Sequence, residues 1–139
     1  MKKYLTILIL AFVAVTSFSG CKKAIEKKIE EQAIMLMTDG SWLITQFTEG
    51  GSDITSQFNG WEFTFKTDFT MTGAKGATTV NGTWSYNYAS KTITTYSASP
   101  VSPLEKLNGS WLNTISHQND GTFTRTAGTV SYLMQITKK

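Results

Sequence analysis

At 139 residues the chain has room for one domain once a targeting segment is set aside. Thirteen basic residues against ten acidic give a formal net charge of +3; without Lys2 and Lys3 the count is eleven against ten. That near-neutral balance excludes a nucleic-acid binder that works through a basic surface.

The chain opens on a basic pair, Lys2-Lys3, an apolar run from Leu5 to Val15, and the small-residue stretch Ser17-Phe18-Ser19-Gly20. The whole apolar run, Tyr4 to Phe18, is shorter than the roughly 20 residues a spanning helix needs, so residues 1–20 read as a signal peptide. Cys21, the one cysteine, follows directly. The arrangement resembles the lipobox of bacterial lipoproteins. That resemblance implies that Cys21 is diacylated, becomes the new N-terminus and is acylated again, palmitate being the chain type expected. Two or more acyl chains anchor stably where one does not. The processed chain then has no thiol for a disulfide and must be held by its core. Lys22 and Lys23 stand where surface-exported lipoproteins of some Gram-negative lineages carry an acidic run. This implies an outer-membrane anchor facing the periplasm.

Residues 21–39 predict a helical tether. Ile25, Ile29, Ala33 and Leu36 recur at helical spacing on one stripe, and Lys22/Glu26 and Lys27/Glu31 are i,i+4 pairs. Gly40 ends the segment. The stripe can pack on the following domain, or lie on a membrane or a partner.

From Trp42 the period changes from 3.6 to 2. Trp61, Phe63 and Phe65 alternate with Glu62, Thr64 and Lys66; Phe69 and Met71 follow across a Lys66-Thr67-Asp68 turn. Val80, Trp84, Tyr86 and Tyr88 share one parity, and Lys91–Ser97 is rich in Thr, Ile and Tyr. Pro100 and Pro103 make 98–106 a loop with one helical turn at 104–107. Strands over 107–117, 121–126 and 129–137 complete the chain, and Gly73-Ala74-Lys75-Gly76 reads as a hairpin loop. Residues 40–139 therefore predict an all-β domain, a small antiparallel up-and-down barrel of about eight strands preceded by one N-terminal helix.

The four tryptophans each follow a turn-type Asp/Asn-Gly, as in Asp39-Gly40-Ser41-Trp42 and Asn108-Gly109-Ser110-Trp111. Their spacing is irregular, so the echo reflects turn chemistry followed by a strand-opening aromatic rather than a repeat fold. Gly40-Ser41-Trp42 at the head of the first strand resembles the Gly-x-Trp motif of lipocalins. With the lipobox, short helix and aromatic-rich meander, residues 36–137 are similar to the lipocalin-like lipoproteins of Gram-negative bacteria. The resemblance implies a calycin-type barrel in which Trp42 closes one end and an arginine packs across it. Arg125, the only arginine in the chain, is the matching residue. Any ligand site is then expected at the opposite mouth.

Catalysis is not expected. His117 is the only histidine, no Gly-x-Ser-x-Gly elbow is present, and scattered carboxylates offer neither metal-ligand spacing nor a glycosidase pair. No cofactor is implied. What remains is binding: the inward parity carries Phe63, Phe65, Met71, Trp84, Tyr86, Tyr88, Tyr132 and Met134, which can line a cavity for a small apolar or amphipathic molecule. The same residues can equally fill a solid barrel, which would leave an interaction module that docks an envelope protein or polysaccharide.

Overall fold

The structure is a computed structural model that describes residues 2–139, with side chains described from Gly20 onward. The predicted signal peptide therefore lies almost wholly on residues whose side chains are outside those described. Among the described residues no helix is long and apolar enough to cross a membrane.

One helix, α1 (Lys2–Thr38), leads into nine strands: β1 (Ser41–Glu49), β2 (Ser52–Asp53), β3 (Glu62–Phe65), β4 (Thr70–Lys75), β5 (Thr78–Asn87), β6 (Thr92–Tyr96), β7 (Gly109–Ser116), β8 (Asp120–Ala127) and β9 (Val130–Lys138). Short 3-10 turns lie at Thr55–Phe58 and Leu104–Leu107. All pairings are antiparallel, in the order β1-β3-β4-β5-β6-β7-β8-β9, and β9 pairs back on β1. The result is a closed up-and-down barrel of eight strands with β2 outside the ring, as the alternating pattern predicts. Closure leaves the ring without a free edge.

Alternation decides which side chains point inward, and bulges correct it where it would fail. Trp42 and Ile44 face the core; a register shift between Ile44 and Gln46 then brings Phe47 inward instead of Gln46. A second shift between Asn113 and Ile115 leaves Ile115 exposed on β7. Gly73 and Lys75 belong to β4, so the expected hairpin loop lies further on, at Gly76-Ala77. Gly73 is buried and closely packed: a Cβ there would stand 3.1 Å from both Phe63 and Leu104.

The thinnest seam is between β1 and β3, which pair only at Ser41↔Thr64 and Trp42↔Phe63. Beyond that point β1 pairs with β2, and the gap is closed by Phe58 from the 3-10 turn. Its ring stacks on Phe47 at 4.5 Å between centroids, and both are fully buried. Sequence reading did not find this plug, since Phe58 belongs to no periodic segment. The core is aromatic throughout: Trp111 meets Phe47 edge-on at 5.8 Å, and Trp84 meets Phe65 at 5.5 Å.

Candidate functional site

The two Gly-Ser-Trp-Leu copies share a local cause. Each follows a helical segment whose last carbonyls lack partners. Gly40 (φ 83°) and Gly109 (φ 132°) turn the chain out of those segments in conformations that favour glycine. The following tryptophan then reaches back. Trp42 Nε1 donates to the Met37 carbonyl and Trp111 Nε1 to the Leu107 carbonyl, each at 2.9 Å. The motif is a helix-to-strand joint in which a buried ring also donates to a carbonyl at the end of the segment it follows.

Arg125 serves the second joint. Its guanidinium lies 4.7 Å from the Trp111 ring centre and 4.6 Å from that of Tyr132. It donates to the Lys106 carbonyl at 3.0 Å and also to the Asn108 carbonyl. The expected packing of Arg125 across Trp42 is therefore corrected: the arginine sits at the other end of the barrel. The register Arg125↔Tyr132 places it beside the chain leaving the 104–107 turn. Glu49 completes this end, accepting from Lys106 Nζ at 2.8 Å and from the Tyr132 hydroxyl at 3.1 Å. Hydrogen bonding from Lys106 holds the Glu49 carboxyl below its ordinary range against partial desolvation, and the same bond raises Lys106. The 97–108 connection, held by these contacts, covers this mouth.

The opposite mouth is the one beneath α1. A groove of about 330 Å³ lies there between helix and barrel. Ile29, Ala33 and Leu36 of the helix form its roof together with Gln32. Trp42, Ile93, Phe123 and Ile136 form an apolar floor. The rim is polar: Tyr86, Tyr88, Lys91, Asn113, Ser116, His117 and Asp120. Lys91 is placed by a left-handed turn residue conformation (φ 53°) between β5 and β6, and its carbonyl accepts from Asn113 N–H at 2.9 Å. Burial, then the neighbouring Tyr88 and Glu30, push the Tyr86 phenol above its ordinary range, so it stays a neutral donor. His117 Nδ1 is 2.7 Å from Asp120 Oδ1, and both side chains are more than half exposed.

Below the floor the barrel is nearly full. An apolar space of about 40 Å³ remains, bordered by Phe63, Phe65, Met71 and Met134 among others. Met37, Trp42, Ile93, Phe123 and Ile136 border both this space and the groove. Thr95 is the buried polar residue here, and its hydroxyl donates to the Leu107 carbonyl at 2.5 Å.

The eight residues expected to line a cavity thus fall in four places. Phe63, Phe65, Met71 and Met134 border the small interior space. Trp84 is packed between Phe65 and Phe69 and donates to the Lys66 carbonyl at 2.9 Å. Tyr86 and Tyr88 stand at the groove rim. Tyr132 lies under Arg125 at the far end. The groove is at Trp42's own mouth, whereas the sequence-based expectation placed a ligand site at the opposite one. Lys91 and Asn113 of the rim and Phe123 of the floor were not found from the sequence, because no local signal ties a turn residue to the middle of two later strands. Cys21 is exposed on α1. Among the described residues no cluster of three or more His, Cys, Asp or Glu could hold a metal ion.

The barrel has a solved counterpart. A crystal structure of a DUF4847 family protein from Bacteroides vulgatus ATCC 8482 superposes with a TM-score of 0.60 at 17% identity. The match covers 77% of this chain and 97% of that one. At this identity the likeness concerns the fold. No family model and no curated protein matches the chain.

Proposed function

We propose that this chain is a lipid-anchored, non-enzymatic, lipocalin-like barrel of the cell envelope that binds a small apolar or amphipathic molecule at the mouth beneath α1. The observation that carries the reading is the groove: an apolar roof and an apolar floor face each other across about 330 Å³. That volume lies at the lower end of small-molecule sites, which run from about 300 Å³ upward. The rim adds phenolic, amide and ammonium groups able to orient a polar head. Anchoring rests on the lipobox resemblance at Cys21, and a periplasm-facing outer-membrane position on Lys22 and Lys23.

The non-catalytic reading draws on chemistry at the rim. The His117–Asp120 pair is open to water on both partners, with none of the solvent exclusion that strengthens acid–base work. A second reading has a specific observation behind it. The interior space of about 40 Å³ is far too small for a ligand, which favours a solid barrel whose surface docks an envelope protein or polysaccharide.

Native mass spectrometry of the protein purified from its own envelope separates the two. The binding reading expects a co-purifying small molecule that is released on unfolding. Bare protein, together with a macromolecular partner captured by crosslinking, would replace it with the docking reading.

A further inference from the structure

Beyond the groove, the start of the processed helix stands clear of the barrel. α1 meets the barrel at β3 and β5 and borders the groove only from Ile29 onward. Over residues 21–28 every side chain is exposed except the half-buried Glu26. One of those exposures is costly: Ile25 is 59% exposed, and the next stripe residue, Ile29, is 37% exposed. At 3.6 residues per turn Ile25 and Ile29 lie within about 40° of each other, and Lys22 and Lys28 flank Ile25 at about 60° on either side. Lys22, Lys23, Lys27 and Lys28 against Glu26 give this segment four positive charges and one negative, a net of +3.

We propose that the Ile25–Ile29 face of α1 lies on an anionic lipid surface, so that the helix rests along the membrane instead of standing upright from it. Isoleucines enter the apolar layer, while the flanking lysines lay their alkyl stems along it and keep their ammonium groups among phosphates. A second copy of the chain is disfavoured as occupant because +3 would face +3. A nucleic acid would leave both isoleucines in water. The position of this face beside the bilayer rests on the reading of Cys21 as the anchor; its chemistry does not. One consequence concerns the groove. Ile29 and Leu36 belong to the same stripe and form part of the groove roof, so the groove opens on the side of the helix that meets the lipid.

The test uses the processed, acylated protein in vesicles of phosphatidylcholine with or without phosphatidylglycerol. Because the native thiol is consumed by the acyl chains, Ile25→Cys and, separately, Glu31→Cys each give one site for an environment-sensitive dye. Glu31 projects about 120° away on the helix. The dye at position 25 is expected to shift to the blue and resist acrylamide several-fold better on phosphatidylglycerol vesicles, while the dye at 31 stays quenched. Lys22→Gln with Lys28→Gln is expected to remove most of that protection. Equal quenching at both positions on the anionic vesicles overturns the proposal. Intact mass reports the anchor independently. If the acyl mass is absent, the anchor reading fails, and the same labels placed in a Cys21→Ser background, with added anionic vesicles, still decide the face. Protection at position 25 alone upholds it, and equal quenching overturns it.

Discussion

The indole N–H of Trp42 donates to the carbonyl of Met37 at 2.9 Å, so the residue that opens the barrel also ends the helix. Both residues are buried and both border the groove. Trp42→Ala is expected to destabilise the fold by about 3–5 kcal/mol, the range for deleting a buried large aromatic. Trp42→Phe keeps most of the volume and loses the donor, and should cost about 1 kcal/mol for the hydrogen bond plus whatever the smaller ring leaves unfilled. Denaturant melts of the two variants check this. A change under about 1 kcal/mol for Trp42→Ala would place the ring outside the cooperative core.

Gly109 and Arg125 form a second pair whose geometry makes a sharp prediction. A Cβ on Gly109 would stand 2.5 Å from an Arg125 guanidinium nitrogen, at a φ of 132° that side chains rarely adopt. Gly128 also has positive φ, 61°, but nothing lies within 4 Å. Gly109→Ala should therefore cost about 2–4 kcal/mol, joining backbone strain to loss of the arginine seat, against about 1 kcal/mol for Gly128→Ala. Thermal melts of both decide it. Limited proteolysis within 97–108 should quicken for Gly109→Ala and not for Gly128→Ala, since only the first loosens the covered mouth.

Acid sensitivity follows from four carboxylates whose folded-state values lie below the ordinary range. Glu49 is lowered first by Lys106, Asp53 by the Thr55 hydroxyl, Glu62 by Lys139 and Asp68 by the Thr70 hydroxyl. A depressed folded pKa means stability fully present above the unfolded value, roughly pH 4, and lost as pH falls through the lower folded value. Unfolding midpoints should be flat from neutral pH to about 5 and fall steeply below about 4. Glu49→Gln and Asp68→Asn should each flatten that acid limb without steepening the neutral one. An unchanged acid limb in both would remove these groups from the account.

Sequence alone carried the fold a long way, for a physical reason. One face of each ring strand is turned to the core, so the alternation of Phe63, Phe65 and Met71 with Thr64, Thr70 and Thr72 is enforced by solvent and can be read directly. Turn chemistry marked the strand ends. The Asp68 carboxylate accepts from both the backbone and the hydroxyl of Thr70, and this holds Phe69 at φ 63°. The plug at Phe58 left no periodic trace, and β2 pairs through only Ser52 and Asp53. Bulges at Thr45 and Thr114 shift parity by one residue, which no local signal announces.

The candidate site was harder to read because it is assembled from separate elements. Lys91 comes from the β5–β6 turn, Asn113 from within β7 beside its bulge and Asp120 from the start of β8, and they meet only because closure of the ring and the pose of α1 bring them together. The Arg125 pairing shows the same limit. Two Gly-Ser-Trp-Leu copies are equivalent as sequence, and only the strand register, Arg125↔Tyr132, selects Trp111 over Trp42.

The anchor has its own test. Cys21→Ser should leave unprocessed precursor in the membrane fraction and abolish incorporation of radiolabelled palmitate. Labelling at wild-type level in that variant would refute the lipobox reading, since Cys21 is the chain's one thiol.

The most direct test of the central claim compares native mass spectra of the wild-type protein and the Ala33→Trp variant, both purified from the same envelope. Ala33 is half-buried in the groove roof, and an indole there fills the space above Trp42 and Phe123 without entering the barrel core. The account predicts a small-molecule adduct on the wild type that Ala33→Trp loses while its unfolding midpoint stays close to wild type. An adduct of equal mass and occupancy on Ala33→Trp, or none on the wild type, would contradict it.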